Sequence, residues 1–152
     1  MQRFQGSPRS VLSTLLLVLV MGLLLYPGLK NIAVYLFSAI TGNYISGTHS
    51  VVFLSCPNEQ VGKVIARTIV EKKLAACVSI LPKVFSIYNW DSEITETTEV
   101  LMVLKTRTSK IHRLTEFIRS VHPFEVPEVI SILVDQGNPL YFKWIEETVP
   151  ED

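Results

Sequence analysis

No acidic residue precedes Glu59, although the 152-residue chain carries 14 aspartates and glutamates in all. The hydrophobic excess (48% of residues, mean hydropathy +0.34) therefore gathers at the N-terminal end, and from Glu59 onward the composition is that of an ordinary soluble domain. Cysteine is scarce. Cys56 and Cys77 are the only two, which excludes a disulfide framework or a zinc ribbon. Excess charge is missing too: the formal net charge is zero, whereas a nucleic-acid surface needs clustered Lys and Arg. There is no Gly-rich phosphate loop, no nucleophile elbow and no Ser/His/Asp set to assemble, so the chain reads as a non-enzyme. Its length suits one domain with a proper core.

What is there begins with a leader. Arg3 and Arg9 precede an apolar run from Val11 to Tyr26, closed by Pro27 and Gly28. A basic region followed by a hydrophobic one is the pattern of a secretory signal. The run of about sixteen residues lies near the lower limit of ~17–25 for a spanning helix. Without a small-x-small cleavage site, residues 1–30 read as a signal peptide or, slightly better, an uncleaved N-terminal hydrophobic helix serving as signal anchor. That implies a membrane-anchored or secretory-pathway protein with its domain facing the lumen or outside. A mitochondrial presequence is the alternative, suggested by Arg and Ser without acids. Residues 31–48 lack a sustained period and read as a linker.

The domain occupies residues 49–152. Ser50–Cys56 is a β-rich run closed by Pro57. Asn58 and Glu59 open a helix whose apolar face is Val61, Val64, Ile65, Thr68 and Ile69. Leu74–Leu81 predicts a second strand, continued past Pro82 by the alternating Val84–Trp90; Asp91–Glu93 turns the chain, and Thr97–Thr106 returns. Thr108 or Ser109 caps the next helix, with Ile111, Leu114, Ile118 and Val121 in step. Val129–Val134 is the fourth strand. After Gly137 a last helix starts at Asn138-Pro139, carrying Tyr141, Trp144 and Ile145. The fold class is α+β: a β-α-β-β-α-β order that folds as a ferredoxin-like antiparallel sheet, with an extra C-terminal helix.

Val51–Leu54 and Val100–Leu104 are apolar without a gap, so both sheet faces want cover, yet the two main helices protect one. The long hairpin also leaves an unpaired edge. Both point to an obligate oligomer, in which another copy of the chain covers the second face.

One stretch asks for more than a fold. In Val121-His122-Pro123-Phe124-Glu125-Val126-Pro127-Glu128, two prolines stop the helix at His122 and predict a stiff, extended segment. Topology brings Cys56, His122, Glu125 and Glu128 to one end of the sheet and sends Cys77 to the other, too far for a disulfide. A thiolate, an imidazole and a carboxylate are a plausible ligand set for copper or zinc. Each also has a plain structural reading: Cys56 and Cys77 as small buried hydrophobes, His122 as a cap on its helix, Glu125 as a partner for a neighbour's Lys or Arg. Tyr88-Asn89-Trp90 is either interface packing or the aromatic wall of an intersubunit cleft. Asp91, Glu93, Glu96 and Glu99 read as a solvated hairpin face. His49 lies in the linker, and neither it nor His112 has an evident partner.

Cys56-Pro57-Asn58-Glu59, Glu71–Val78, Ser86–Trp90, Glu99–Thr106, His122–Glu125 with Pro127-Glu128, and Gly137 with Tyr141 and Trp144-Ile145, taken in order, resemble the CutA family of divalent-cation tolerance proteins. The resemblance spans about Ser50 to Thr148, and the leader is most similar to that of animal members. It implies a compact homotrimer that binds copper or another divalent cation, with Cys56 and His122 as metal contacts; Glu125, at the same end of the sheet, is the expected carboxylate contact from the residue reading above. Cleft or interface contacts are expected from Tyr88, Trp90, Phe124, Glu128 and Trp144. It implies partnership with acetylcholinesterase or its membrane anchor complex, and no catalytic reaction. The alternative is a regulatory trimer that holds a small metabolite in its intersubunit clefts. Three positions depart from the family pattern: Phe124 for a Tyr, Ser92 for the hairpin Gly and Thr95 for a Glu. Ser92 costs little unless its φ is positive.

Overall fold

The computed structural model describes residues 13–22, 26, 28–29, 32–33, 36 and 44–151. The chain divides into two units, Met1–Ile45 and Ser46–Asp152. In the first, residues 13–22 are helical, with Leu15, Leu16 and Leu17 exposed. Parts of the expected Val11–Tyr26 run and of the 31–48 linker lie outside the described residues. Among the described residues no helix is long and apolar enough to cross a membrane.

The second unit runs β1 (His49–Cys56), α1 (Glu59–Glu71), β2 (Cys77–Trp90), β3 (Glu93–Arg107), a 3-10 turn (Thr108–Lys110), α2 (Ile111–Val121), β4 (Ile130–Leu133) and α3 (Pro139–Thr148). The strands form one sheet in the order β2-β3-β1-β4, every neighbouring pair antiparallel. Alternation on β1 sorts its side chains: Val52, Leu54 and Cys56 are buried on one face, with Met102 and Leu104 beside them from β3. Ile65 and Ile69 of α1 and Leu114 and Ile118 of α2 close this core.

Local chemistry explains the boundaries. Asn58 caps α1, its Oδ1 accepting from Val61 N–H at 2.9 Å. Gly62 lets that helix settle close: a Cβ there would lie 3.3 Å from Val100 Cγ2. The buried face of α1 is therefore Gly62, Ile65, Ala66 and Ile69, and Val64, expected inside, is 64% exposed. The helix ends in paired bonds, Lys73 N–H to Val70 O and Leu74 N–H to Ile69 O, both 3.0 Å, with Lys73 at φ 55°. Leu74 belongs to this terminator, so β2 starts at Cys77 and not at Leu74.

β3 begins at Glu93, four positions earlier than the apolar pattern implied, because pairing continues to the hairpin tip (Trp90 with Glu93). The turn is the two residues Asp91 (φ 50°) and Ser92 (φ 68°), both left-handed as a tight hairpin turn requires. A bulge between Leu81 and Val84 re-aims the strand midway. Thr108 does not cap α2. Its hydroxyl donates to Gly47 O at 2.7 Å and lies 2.8 Å from Ser50 Oγ, tying the turn to the start of β1, and the N-cap is Lys110 without a side-chain bond. β4 is only Ile130–Leu133, an edge strand paired with β1 alone.

The second sheet face is not left wholly to a partner. His49 is the first residue of β1, not a linker residue, and it stacks on Phe142 of α3 at 5.0 Å and 15° while its Nε2 lies 3.5 Å from Glu146 Oε1. The C-terminal helix therefore covers one end of the face opposite α1 and α2. Its buried residues are Phe142 and Ile145, whereas Tyr141 and Trp144 are half exposed. Gly137 is needed for close approach, since a Cβ would fall 2.6 Å from Phe142 Cζ.

The positive φ of Ser92 sets a test. Left-handed conformation costs a non-Gly residue roughly 1–2 kcal/mol, so Ser92→Gly should raise stability by about 1 kcal/mol and Ser92→Val should lower it by a similar amount. Denaturant midpoints of the three proteins check the order Gly > Ser > Val.

Candidate functional site

His122 is where α2 stops. It is the residue before proline and adopts φ −76°, ψ 138°. The chain beyond does not run extended as expected: residues 123–126 bend, and the Phe124 N–H returns to donate to His122 Nδ1 at 3.1 Å. That bond fixes the tautomer. Nδ1 accepts, so Nε2 carries the proton and donates to Ser55 O on β1 at 2.9 Å, with Cys56 Sγ 3.4 Å away. The Phe124 ring meets the imidazole edge-on, centroids 5.0 Å apart.

Cys56 is fully buried, its thiol 3.4 Å from Met102 Sδ. Burial, then the nearby Glu99 carboxylate, pushes the thiol up to about 11, so at neutral pH it is protonated. Burial also holds His122 below its ordinary value of 6.5, against the opposing pull of the Ser55 carbonyl and Glu99. A protonated thiol beside an imidazole that donates to a carbonyl is not an activated nucleophile.

Nor do the expected metal contacts fit together. Glu125 is exposed, and among the described residues no group of three His, Cys, Asp or Glu side chains is placed to hold a metal ion. Cys56 and His122 are drawn together by hydrogen bonding and packing, with both ring nitrogens engaged on backbone. Cys77 lies at the other end of the sheet, opposite Lys105 where Cys56 is opposite Val100; both cysteines are free.

The opening is on the other face. Ser55 points away from the core, and its hydroxyl donates to Glu128 Oε2 at 2.6 Å. An open cleft of about 830 Å³ runs from there along the hairpin, lined by Ser55, Glu99, Glu125 and Glu128 with the rings of Tyr88, Trp90 and Phe124. Tyr88, Trp90, Phe124, Glu125 and Glu128 thus share one cavity, while Trp144 stands apart on α3, against Tyr141 at 5.2 Å. Glu99 corrects the reading of a solvated hairpin face. It is 7% exposed, on the cleft wall. Its signal was position: it directly precedes the apolar run and shares a face with Leu101.

With this geometry in hand, comparisons with known proteins are specific. Residues 50–148 match the family profile described as CutA1 divalent ion tolerance protein. A protein named Protein CutA homolog from Xenopus laevis is 50% identical over 123 residues, 81% of this chain and 82% of that one. A Protein CutA homolog from Danio rerio is 42% identical over 144 residues, 95% of this chain and 96% of that one. A crystal structure of CutA1 from Oryza sativa superposes with a TM-score of 0.68 at 36% identity, covering 70% of this chain and 98% of that one.

The lowered His122 value gives a pH test. Neutral imidazole is the folded form, so its contribution is complete above pH 6.5 and is lost as pH falls from 6.5 through the lower folded value. Stability should drop between pH 7.5 and 5, and His122→Gln should flatten part of that slope while costing on the order of 2 kcal/mol at pH 7.5. His49, also held below 6.5 chiefly by burial, supplies the remaining slope.

Proposed function

We propose a homotrimeric cation-binding protein, on the premise that this chain belongs to the CutA1 divalent ion tolerance family. The observation that carries the proposal is the acidic lining of the cleft at the hairpin end, where Glu99, Glu125, Glu128 and Ser55 border one opening without a basic side chain among the lining residues, although among the described residues the carboxylates of one chain do not converge on a single ion. Copper and other divalent cations are drawn to this charge. The Cys56 thiol, buried and protonated, is poorly suited to reach them. The protein works by binding and protein contact, not by turnover.

Assembly is supported by what one chain leaves uncovered. Ile130, Ile132 and Leu133 of β4 are exposed, as are Phe85, Ile87 and Ile94 of the hairpin, in an amount that a soluble monomer rarely shows. The basic-then-apolar N-terminal segment supports a reading of the domain as a secretory-pathway protein tethered to the membrane. Acetylcholinesterase or its membrane anchor complex is the partner that the family resemblance nominates. A second reading, a regulatory trimer holding a small metabolite, is favoured by the cleft's volume, which lies within the ~300–1,000 Å³ of small-molecule sites.

Sedimentation equilibrium of the full chain in detergent should give three protomers per particle, persisting on dilution. Copper(II) titration should show binding that survives Cys56→Ala and weakens in the Glu125→Gln, Glu128→Gln double variant. A folded monomer, or copper binding abolished by Cys56→Ala alone, refutes this account. The leader has its own test. Replacing Leu15, Leu16 and Leu17 with Asp, at roughly 2.5–3.5 kcal/mol per central charge, should abolish membrane insertion. Cell fractionation would then find the protein soluble.

A further inference from the structure

The C-terminal helix is fastened to the sheet apart from the main core. Phe142 and Ile145 of α3, and Val149 just beyond it, are buried, yet none belongs to the cluster that β1, β3, α1 and α2 build. Residues 134–138, which lead into the helix, form neither helix nor strand. α3 can therefore leave the sheet without opening that cluster. We infer that α3 is a proton-released latch: neutral His49 holds it on the sheet, and protonation of His49 frees it while the core stays closed.

The contact suits one protonation state of the ring. His49 is 1% exposed, sealed by the Phe142 ring at 5.0 Å and 15°. A charge placed under that ring is out of water, and lifting α3 returns it to water. Two charged groups face the imidazole. Glu146 of α3 brings Oε1 within 3.5 Å of Nε2 and favours the cation, but it is 42% exposed, so water screens its pull. Arg107, the cross-strand partner on β3, disfavours the cation; its own guanidinium lies 3.4 Å from Glu151 beyond the helix. β4, on the other side of β1, has no ionisable residue. Burial outweighs Glu146 and holds His49 below its ordinary 6.5. Docking is thus at full strength above pH 6.5 and weakens as pH falls from 6.5 through the lower docked value.

The helix has a second grip that does not titrate in this range. The Tyr141 phenol bonds the Cys77 thiol at the start of β2, and its own value is raised above 10, chiefly by burial, so it stays protonated. Release of the latch uncovers Phe142, Ile145 and the Cys77 thiol together. His122 also titrates below 6.5, but it sits at the Cys56 end of β1, away from α3. Substitution therefore separates the two imidazoles.

Hydrogen exchange of the full-length protein in detergent, read by mass spectrometry at pH 7.5 and 5.0 with times scaled for intrinsic rates, tests the latch. At pH 5.0 residues 139–148 should be at least tenfold less protected than residues 59–71 of α1, because α3 opens locally. Between the two pH values α3 should lose at least fivefold of its protection, against a ceiling of about thirtyfold set by an ordinary His value of 6.5. His49→Phe keeps a ring under Phe142 and should remove that loss; His122→Gln should retain it. Glu146→Gln withdraws the carboxylate and should enlarge it. Equal protection of α3 and α1 overturns the inference, as does a loss that persists in His49→Phe or vanishes in His122→Gln. Should His49→Phe fail to fold, judged by circular dichroism, Glu146→Gln decides, and an unchanged or smaller loss there overturns the latch.

Discussion

One imidazole ties the site together. His122 ends α2, accepts from the Phe124 N–H through one nitrogen and donates to the Ser55 carbonyl through the other. Three pieces of chain, the helix end, the proline-bracketed bend and the last residues of β1, are held at one point. Both bonds use the neutral ring, and burial favours that form. Through Ser55 the effect crosses the sheet: the same residue that receives the imidazole on its carbonyl offers its hydroxyl to Glu128 in the cleft. The buried face and the open face are thus set by one residue of β1.

The hairpin contributes the other half of the cleft, at a conformational cost. Asp91 and Ser92 both sit at positive φ, and Lys83 in the bulge does as well, at 59°. Non-Gly residues in this region are disfavoured locally and persist where pairing on both sides fixes them. β2 and β3 pair in register from the bulge to the tip, which holds Tyr88 and Trp90 in line with Glu99. Strain in the backbone and order in the cleft wall have the same source.

Most of the fold was legible because it rests on periodicity. The gapless run of β3, the three-and-four spacing of α2, Asn58 before α1 and Asn138-Pro139 before α3 each carry a local cause, and each element is present. What misled was side-chain reach that no local pattern encodes. Thr108 has the right residue type for a cap, but a backbone carbonyl brought up by β1 takes its hydroxyl. Val64 fits the apolar stripe of α1, but Gly62 turns the stripe by letting the helix approach along its own bare side. His49 looked partnerless because Phe142 and Glu146 arrive from the far end of the chain. In the site, the proximity of Cys56 and His122 followed from topology. The metal geometry expected of them did not, because it depended on which atoms the ring nitrogens choose. Glu99 was misplaced for a simpler reason: a Glu in an acidic hairpin resembles its neighbours until the register shows that its face is enclosed.

The second sheet face is shared among three uses that compete for area. At one end α3 lays Phe142 on His49; at the other the cleft opens between Ser55 and the hairpin; between them Val51, Phe53, Leu101 and Val103 are half covered. An apolar strip of this kind gains from being covered, at roughly 25 cal/mol per Å² of apolar surface removed from water. In the proposed trimer the covering surface comes from another copy and passes close to the cleft. Binding and assembly are then linked: a ligand held more tightly by the assembled form stabilises the assembly by RT ln(1 + [L]/Kd), and assembly raises ligand affinity by the same coupling. Because Glu99 lies on the strand that carries Leu101 and Val103, a cation neutralising it acts at the border of the strip. Charge in the cleft and contact between subunits are in this way two ends of one strand.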